Sequence, residues 1–333
     1  MTMERPYCSL LDVVDDLEID GVRSLDKLTR FIEAASQVID KRGQFVPLTE
    51  TRRFDGTGSP TLWIDELLSV TRLTYNGVTL NPADYVLRPT RRHWPHGPYT
   101  SIELTNQGVW AKTVPNIVTI EGVWGLYSDT LDVGATATQD TNNTTTLTVS
   151  TASAISPGCV LLLGTEQEIV TAYDAPADFN LTLSDDLDTV QPDFNISDGN
   201  AVSVGEIFRI DSEQFRVLDI TDDTALTVRG WNGTTRAAHD ANTDLDVYRT
   251  FKVARAVNGT TLADHNGVDV LRVVPTADVR YLCEQIAALM LKKAQGGFAG
   301  KTGNVELGEV FYQDEFPSDP LKTIMTNYRI VTI

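Results

Sequence analysis

The stretch Ala294-Gln295-Gly296-Gly297-Phe298-Ala299-Gly300-Lys301-Thr302 falls one residue short of a phosphate-binding loop. That loop, G-x-x-x-x-G-K-[ST], needs glycine at position 295, where this chain carries glutamine. It must also leave a strand and open a helix, so that free backbone N–H groups face phosphate. Here the hydrophobic spacing just upstream is helical, so a linker is expected and a nucleotide site is not. His93-Trp94-Pro95-His96 offers two imidazoles, but Pro95 bars the helix that would aim them at one metal ion, and His239 and His265 lie far along the chain. A surface loop with amphipathic aromatics is the expectation there. Asp185-Asp186-Leu187-Asp188 and Asp222-Asp223 lack the ligand order of a calcium loop and fall at turns, which favour Asp for local reasons. No Ser/His/Asp or Cys/His constellation stands out among four histidines, so no enzyme, cofactor or metal is expected.

Composition narrows the rest. The chain has 333 residues, 41% of them hydrophobic, enough for two domains or one large one. No stretch approaches eighteen uninterrupted apolar residues, and Met1–Leu10 lacks the apolar core of a signal peptide, so a protein made in the cytosol is expected. Cys8, Cys159 and Cys283 are odd in number and widely spaced, which predicts buried free thiols. The net charge of -19 disfavours gripping nucleic acid. The excess is concentrated: residues 135–274 hold 21 acidic and 8 basic side chains, against 18 and 13 in residues 1–134.

Periodicity then supplies the elements. Ser9-Leu10-Leu11-Asp12 fits a capping box, and Leu10, Val13, Val14 and Leu17 share one face of the helix it would open, which Gly21 would end. Leu25, Leu28, Phe31, Ile32, Ala35, Val38 and Ile39 recur at three- and four-residue steps, predicting a second helix that closes near Lys41-Arg42-Gly43. Between Thr49 and Tyr127 the period becomes that of strands: Thr61–Ile64, Ser69–Tyr75, Val78–Leu80, Tyr85–Arg88, Thr100–Leu104 and Ile117–Val123, with Asn76-Gly77 as a hairpin turn. After Pro275-Thr276, the residues Val279, Leu282, Cys283, Ile286, Ala287, Met290 and Ala294 predict a last helix.

Residues 135–274 differ in kind, with no helical period and abundant Thr, Asn, Asp and Val. Ile155-Ser156-Pro157-Gly158 through Glu166-Gln167 repeats as Val202-Ser203-Val204-Gly205 through Glu213-Gln214 at an offset of 47. Both copies are expected to run on through an alternating strand, to Leu181-Thr182-Leu183 and Leu226-Thr227-Val228 respectively. Two copies of one β-unit predict a small barrel or sandwich. The expected fold is α+β: a small helical bundle with β-hairpins and a short sheet, residues 1–134 and 275–333, interrupted by an inserted all-β domain at 135–274.

The flanks resemble the head–tail connector, or adaptor, proteins of lambda-like long-tailed phages. The residues that carry this are Tyr7-Cys8-Ser9-Leu10-Leu11-Asp12, Ile32-Glu33-Ala34-Ala35-Ser36, Thr51-Arg52-Arg53-Phe54-Asp55-Gly56, Trp63–Thr71, Asp84–Pro89, Val118–Gly125 and the final helix with Tyr328-Arg329. The resemblance implies a virion neck protein, a homo-dodecamer between the portal protein and a stopper or tail-terminator protein, whose lumen passes DNA without specific binding and which touches no membrane. It implies no catalytic residues. It further implies that Tyr328, Arg329, Ile330, Val331, Thr332 and Ile333 dock the portal by strand addition. Asn76, Gly77, Arg88, Arg91, Arg92 and Trp94 are candidates for contact with adjacent rings. The insert departs from the family pattern. Its Leu226–Thr234 and Ala237-Ala238-His239 resemble small β-modules of phage structural proteins. The alternative is a decoration, minor capsid or tail-completion protein whose insert binds another virion protein or a host-surface glycan, with Trp231 and Tyr248 as stacking residues.

Overall fold

A computed structural model describes residues 3–16, 25–41, 43–89, 98–105, 108–126, 129–143, 145–296, 301–302 and 310–311. Helix α1 (Leu10–Asp16) is opened by the capping box read from the sequence: Ser9 N–H donates to Asp12 Oδ2 at 2.7 Å, and Asp12 N–H donates to Ser9 Oγ at 3.3 Å. Helix α2 (Leu25–Asp40) buries Leu25, Leu28, Ile32, Ala35 and Ile39 along one stripe. These pack against α3 (Ala277–Gly296), the last helix among the described residues, through Val279, Leu282, Cys283, Ile286 and Ala287. The bundle is therefore closed by residues from both ends of the sequence. Ser36 Oγ sits 3.3 Å from Cys283 Sγ, and Cys8 Sγ lies 3.2 Å from the same sulfur. All three cysteines are free and buried, although two that are distant in sequence meet here.

The first sheet holds β1 (Leu48–Phe54), β2 (Thr61–Tyr75), β3 (Val78–Thr79), β4 (Tyr85–Pro89), β5 (Tyr99–Leu104) and β6 (Val118–Trp124), in the order β1-β6-β2-β5-β4, with β3 paired to β2. The two strands expected within residues 61–75 are one. Residues 61–63 and Leu67 pair with β5 on one edge, and residues 67–75 pair with β6 on the other, with an irregular register over residues 64–66. Asn76 and Gly77 both take positive φ, 49° and 77°, as the tight hairpin turn requires. Under this sheet lie Trp110 and Trp124, whose indole N–H groups donate to Pro60 O at 2.9 Å and to Glu50 O at 3.0 Å.

The β-rich region opens at Asp129 with β7 (Asp129–Gln139), followed by β8 (Thr146–Val149), β9 (Val160–Leu163) and β10 (Glu166–Tyr173). The chain then builds a second six-stranded sheet from β11 (Ala177–Thr182), β12 (Asp193–Asn195), β13 (Ile207–Ile210), β14 (Glu213–Thr221), β15 (Thr224–Arg229) and β16 (Asp244–Val247). Only afterwards do β17 (Thr250–Ala254) and β18 (His265–Val274) complete the first unit as a closed barrel, β10-β17-β8-β7-β18-β9. The second sheet has the order β11-β16-β13-β14-β15-β12, and the single bridge Leu183–Ile196 joins its two ends. A short pair, β19 (Lys301–Thr302) and β20 (Val310–Phe311), lies beyond α3.

The two units share one topology. Replacing β9, β10, β17, β8, β7 and β18 by β13, β14, β15, β12, β11 and β16 turns one strand order into the other. Hairpin β14–β15 turns at Asp222-Asp223, while the equivalent hairpin β10–β17 carries the whole second unit in place of its turn. The second module is thus inserted in the first, and the first in the helical core. This corrects one expectation: the partner of Leu226–Val228 is Lys252–Ala254 of β17, and Leu181–Leu183 belongs to a different strand position. The repeat is split because the insertion falls inside the hairpin.

Both modules are seated on the body beneath them by one loop used twice. Gly158 (φ 96°) lies so close to α1 that a Cβ would stand 2.7 Å from Cys8 O, and Ser156 Oγ accepts Leu11 N–H at 3.2 Å. Gly205 (φ 90°), 47 residues on, meets Ser153 O of the first module at the same 2.7 Å, and Ser203 Oγ accepts the Thr151 hydroxyl at 3.2 Å. Only glycine fits this approach at positive φ.

Candidate functional site

Several residues singled out by the sequence lie outside the described residues: His93 and His96, Arg91, Arg92 and Trp94 of the proposed inter-ring loop, and Tyr328, Arg329, Ile330, Val331, Thr332 and Ile333. Asn76 and Gly77 form an exposed turn. Arg88 does not stand free: its Nε and Nη2 donate to Glu103 Oε2 at 2.9 and 2.8 Å across β4–β5. Trp231 and Tyr248 are each 9% exposed and belong to the apolar cluster between the modules and the helices, with Arg216 stacked on Trp231. Their faces are core surface, so they are not available to stack a sugar. The acidic clusters organise turns: Asp188 Oδ1 accepts Val190 and Gln191 N–H groups, and Asp223 Oδ1 accepts Gly199 N–H. Among the described residues, no helix is long and apolar enough to cross a membrane. A cleft of about 280 Å³ lies where α2 meets both modules, lined by Asp26, Thr29, Tyr173, Asp174, Gln214 and Tyr248 among others.

The strongest concentration of buried chemistry is a side-chain cluster that occurs twice. In the second module, Glu213 is fully buried and takes five donors. Arg229 Nε at 3.0 Å and Gly230 N at 3.1 Å reach Oε1, while Arg229 Nη2 at 2.7 Å, Ala237 N at 2.9 Å and His239 Nε2 at 3.0 Å reach Oε2. In the first module, Glu166 takes the same five: Arg255 Nε and Ala256 N at 3.0 Å, then Arg255 Nη2 at 2.7 Å, Ala263 N at 2.9 Å and His265 Nε2 at 3.0 Å. Burial alone would raise both carboxyls, but the arginine, the backbone N–H groups and the histidine outweigh it, and both lie below the usual glutamate range.

The sequence carries a signal for this cluster that the first repeat does not cover. Arg229-Gly230-Trp231-Asn232-Gly233-Thr234-Thr235-Arg236-Ala237-Ala238-His239 reappears as Arg255-Ala256-Val257-Asn258-Gly259-Thr260-Thr261-Leu262-Ala263-Asp264-His265, an R-x-x-N-G-T-T-x-A-x-H motif at an offset of 26. Each element has a job. The arginine holds the glutamate and the neighbouring loop, the Asn-Gly turns the chain at positive φ, and the first Thr hydroxyl accepts the N–H of the residue after the glutamate, Gln214 or Gln167, at 2.9 Å.

Glu166, Glu168 and His265 bring three ligand atoms within 4.8 Å of one another, a spacing a metal ion could use. Chemistry argues against one. Both oxygens of Glu166 are already saturated by donors, and the positive charge of the site is the Arg255 guanidinium. The second module builds the same Glu–Arg–His unit with Phe215 where the first has Glu168, so the unit does not depend on a third ligand. The arrangement works as a buried clamp. Arg255 reaches Asp140 O and Asn143 O of the β7–β8 loop at 2.7 and 2.9 Å, and Arg229 likewise bonds Asp188 O and Gln191 O of the β11–β12 loop. Compared with known proteins, the chain matches no family model, no curated protein and no solved structure.

Proposed function

We propose that this chain is a structural subunit of a tailed-phage virion, part of the connector (adaptor) ring between the portal and the stopper or tail, through which DNA passes. The observation that carries the reading is that the two segments with the connector resemblance come together as one body. Residues near the start (Cys8, Ser36) and near the end (Cys283) share one contact, and α2 lies along α3. The modules that depart from the pattern are additions seated on that body. The turn Asn76-Gly77, followed by exposed Val78, is an exposed hairpin end suited to contact with a neighbouring ring. The acidic balance of the chain suits a conduit along which DNA slides without sticking. Portal docking through Tyr328–Ile333 and assembly in the host cytoplasm complete the proposal.

A second reading, a decoration, minor capsid or tail-completion protein, draws on the duplicated module, since so large an addition needs a partner of its own. The deciding measurement is mass photometry with negative-stain imaging of the protein alone and mixed with its portal. Rings near twelve subunits, or portal assembly that is lost on deleting residues 328–333, are the expected result. A monomer indifferent to the portal sinks the connector reading and favours the second.

A further inference from the structure

The first module holds one buried carboxyl that its clamp does not satisfy. Glu168 of β10 has Gln139 of β7 as a neighbour, although β7 lies across the closed barrel, with β17 and β8 between them on one side and β9 and β18 on the other. Both Glu168 oxygens are buried and accept no hydrogen bond, and Gln139 Oε1 is equally without a donor. One Nε2 hydrogen of Gln139 goes to Thr146 O at 2.6 Å, and turning the amide would orphan that carbonyl.

Arg255 is close but spent. Its Nε stands 2.8 Å from Glu168 Oε1. Yet its single Nε–H points to Glu166, its two Nη2 hydrogens go to Glu166 and Ala263 O, and its two Nη1 hydrogens go to Asp140 O and Asn143 O. A guanidinium has five N–H donors and all are used. The titratable groups facing Glu168 are therefore Arg255 from the end of β17, Glu166 from its own strand and His265 from β18, with neutral Gln139 from β7. An ionised Glu168 would set a second negative charge beside Glu166 and leave Gln139 Oε1 without a donor. A protonated one repairs both faults at once.

We propose that Glu168 is protonated in the folded first module and donates its O–H to Gln139 Oε1, forming a one-proton link across the barrel whose loss loosens the β7–β8 closure. Burial, opposed by Arg255 and Gln139 and reinforced by Glu166, pushes this carboxyl up to about 7, which puts the switch near neutral pH. The second module has Phe215 at this position and lacks the device. The β7–β8 seam it guards is short, with only Ala137–Val149 and Thr138–Thr148 paired, so a lost cross-link is felt there first.

The test uses the full chain labelled with carbon-13 glutamate. Infrared spectra at about pH 6, where exposed carboxyls are ionised, are expected to show a protonated carboxyl that fades by about pH 8 and is absent from Glu168→Gln. Thermal melts are expected to fall between about pH 5 and pH 8 in the native protein, with the part owed to Glu168 gone in Glu168→Gln, whose amide donates to Gln139 at every pH. No protonated carboxyl in the folded native protein at pH 6 overturns the proposal even if the variant fails to fold. Identical pH profiles of native protein and a folded variant overturn it equally.

Discussion

Phe215 occupies in the second module the position that Glu168 occupies in the first, on matching strands 47 residues apart. Around it the two modules keep the same glutamate, arginine and histidine. What differs is how the centre is filled. Phe215 stacks on Phe208 at a ring separation of 5.2 Å, meets Phe194 edge-on at 5.5 Å and lies under Arg229. At this position the second module therefore has aromatic packing where the first has a buried carboxyl beside its apolar core.

Truncating that centre should be costly. Phe215→Ala is expected to destabilise the protein by about 3–5 kcal/mol, the usual range for a fully buried phenylalanine. Phe215→Glu should cost more, because no Gln139 equivalent waits to receive its proton. Urea unfolding followed by tryptophan fluorescence measures both, and equal losses would contradict the packing described for this site.

The clamps are buried ion pairs, so breaking one half leaves a stranded charge. Arg229→Ala and Arg255→Ala are each expected to cost about 3–5 kcal/mol. Adding Glu213→Gln to Arg229→Ala should cost little more than Arg229→Ala alone. A double-mutant cycle by urea unfolding reads that coupling, and strict additivity would show that the two groups act independently.

Stability should depend on pH from both sides. Glu166, Glu213 and Asp12 lie below their ordinary values; burial opposes this for Asp12, but the Arg272 guanidinium and the Ser9 N–H outweigh it. Such groups stabilise the fold fully above their unfolded values, 3.8 for Asp and 4.5 for Glu, and that stability drains away as pH falls below them. Glu168 has the opposite sign: its contribution is complete below 4.5 and is lost as pH rises to about 7. Thermal melts are expected to peak near pH 5, and a profile still rising between pH 5 and pH 7 would show that Glu168 ionises freely.

Burial raises the Cys8 thiol well above its ordinary value, and the neighbouring Cys283 sulfur raises it further. Cys159 is also buried. None of the three should react with iodoacetamide in the native state at pH 8, and all three should react in denaturant. Mass spectrometry counts the adducts; rapid native labelling of Cys8 or Cys283 would mean that the helix bundle opens readily.

Gly259 fastens the first module to the first sheet. A Cβ there would stand 1.8 Å from Thr49 O, and Thr49 N–H donates to Asn258 O at 2.8 Å. Gly259→Ala is expected to cost about 1–3 kcal/mol through the clash and its φ of 73°. Hydrogen exchange should then quicken at Thr49, while the far strands of the second module stay protected.

Local signals were legible and nested ones were not. The Ser9–Asp12 cap, the α2 stripe and the Asn76-Gly77 turn each lie within a few residues, and each appears in the structure as the sequence predicts. Arg88 was readable only as a basic residue near a loop, because its partner Glu103 comes from the next strand. The offset of 47 shows half of the duplication. The other half, Arg229–His239 against Arg255–His265, runs at an offset of 26, since the second module lies between β10 and β17. A fixed-offset reading therefore follows Glu166 to Leu181, when the strand that pairs with β10 resumes at Thr250.

The nesting also sets an order of events as the chain leaves the ribosome. The strands of the second module are neighbours in sequence and can close as soon as β16 emerges. The first barrel must hold β7 to β10 unpaired on one side until β17 and β18 arrive, and α1 and α2 must wait longer still for α3. Assembly thus proceeds from the innermost segment outward, and a stalled chain with Val247 just clear of the exit tunnel would display one finished module on an unfinished stem.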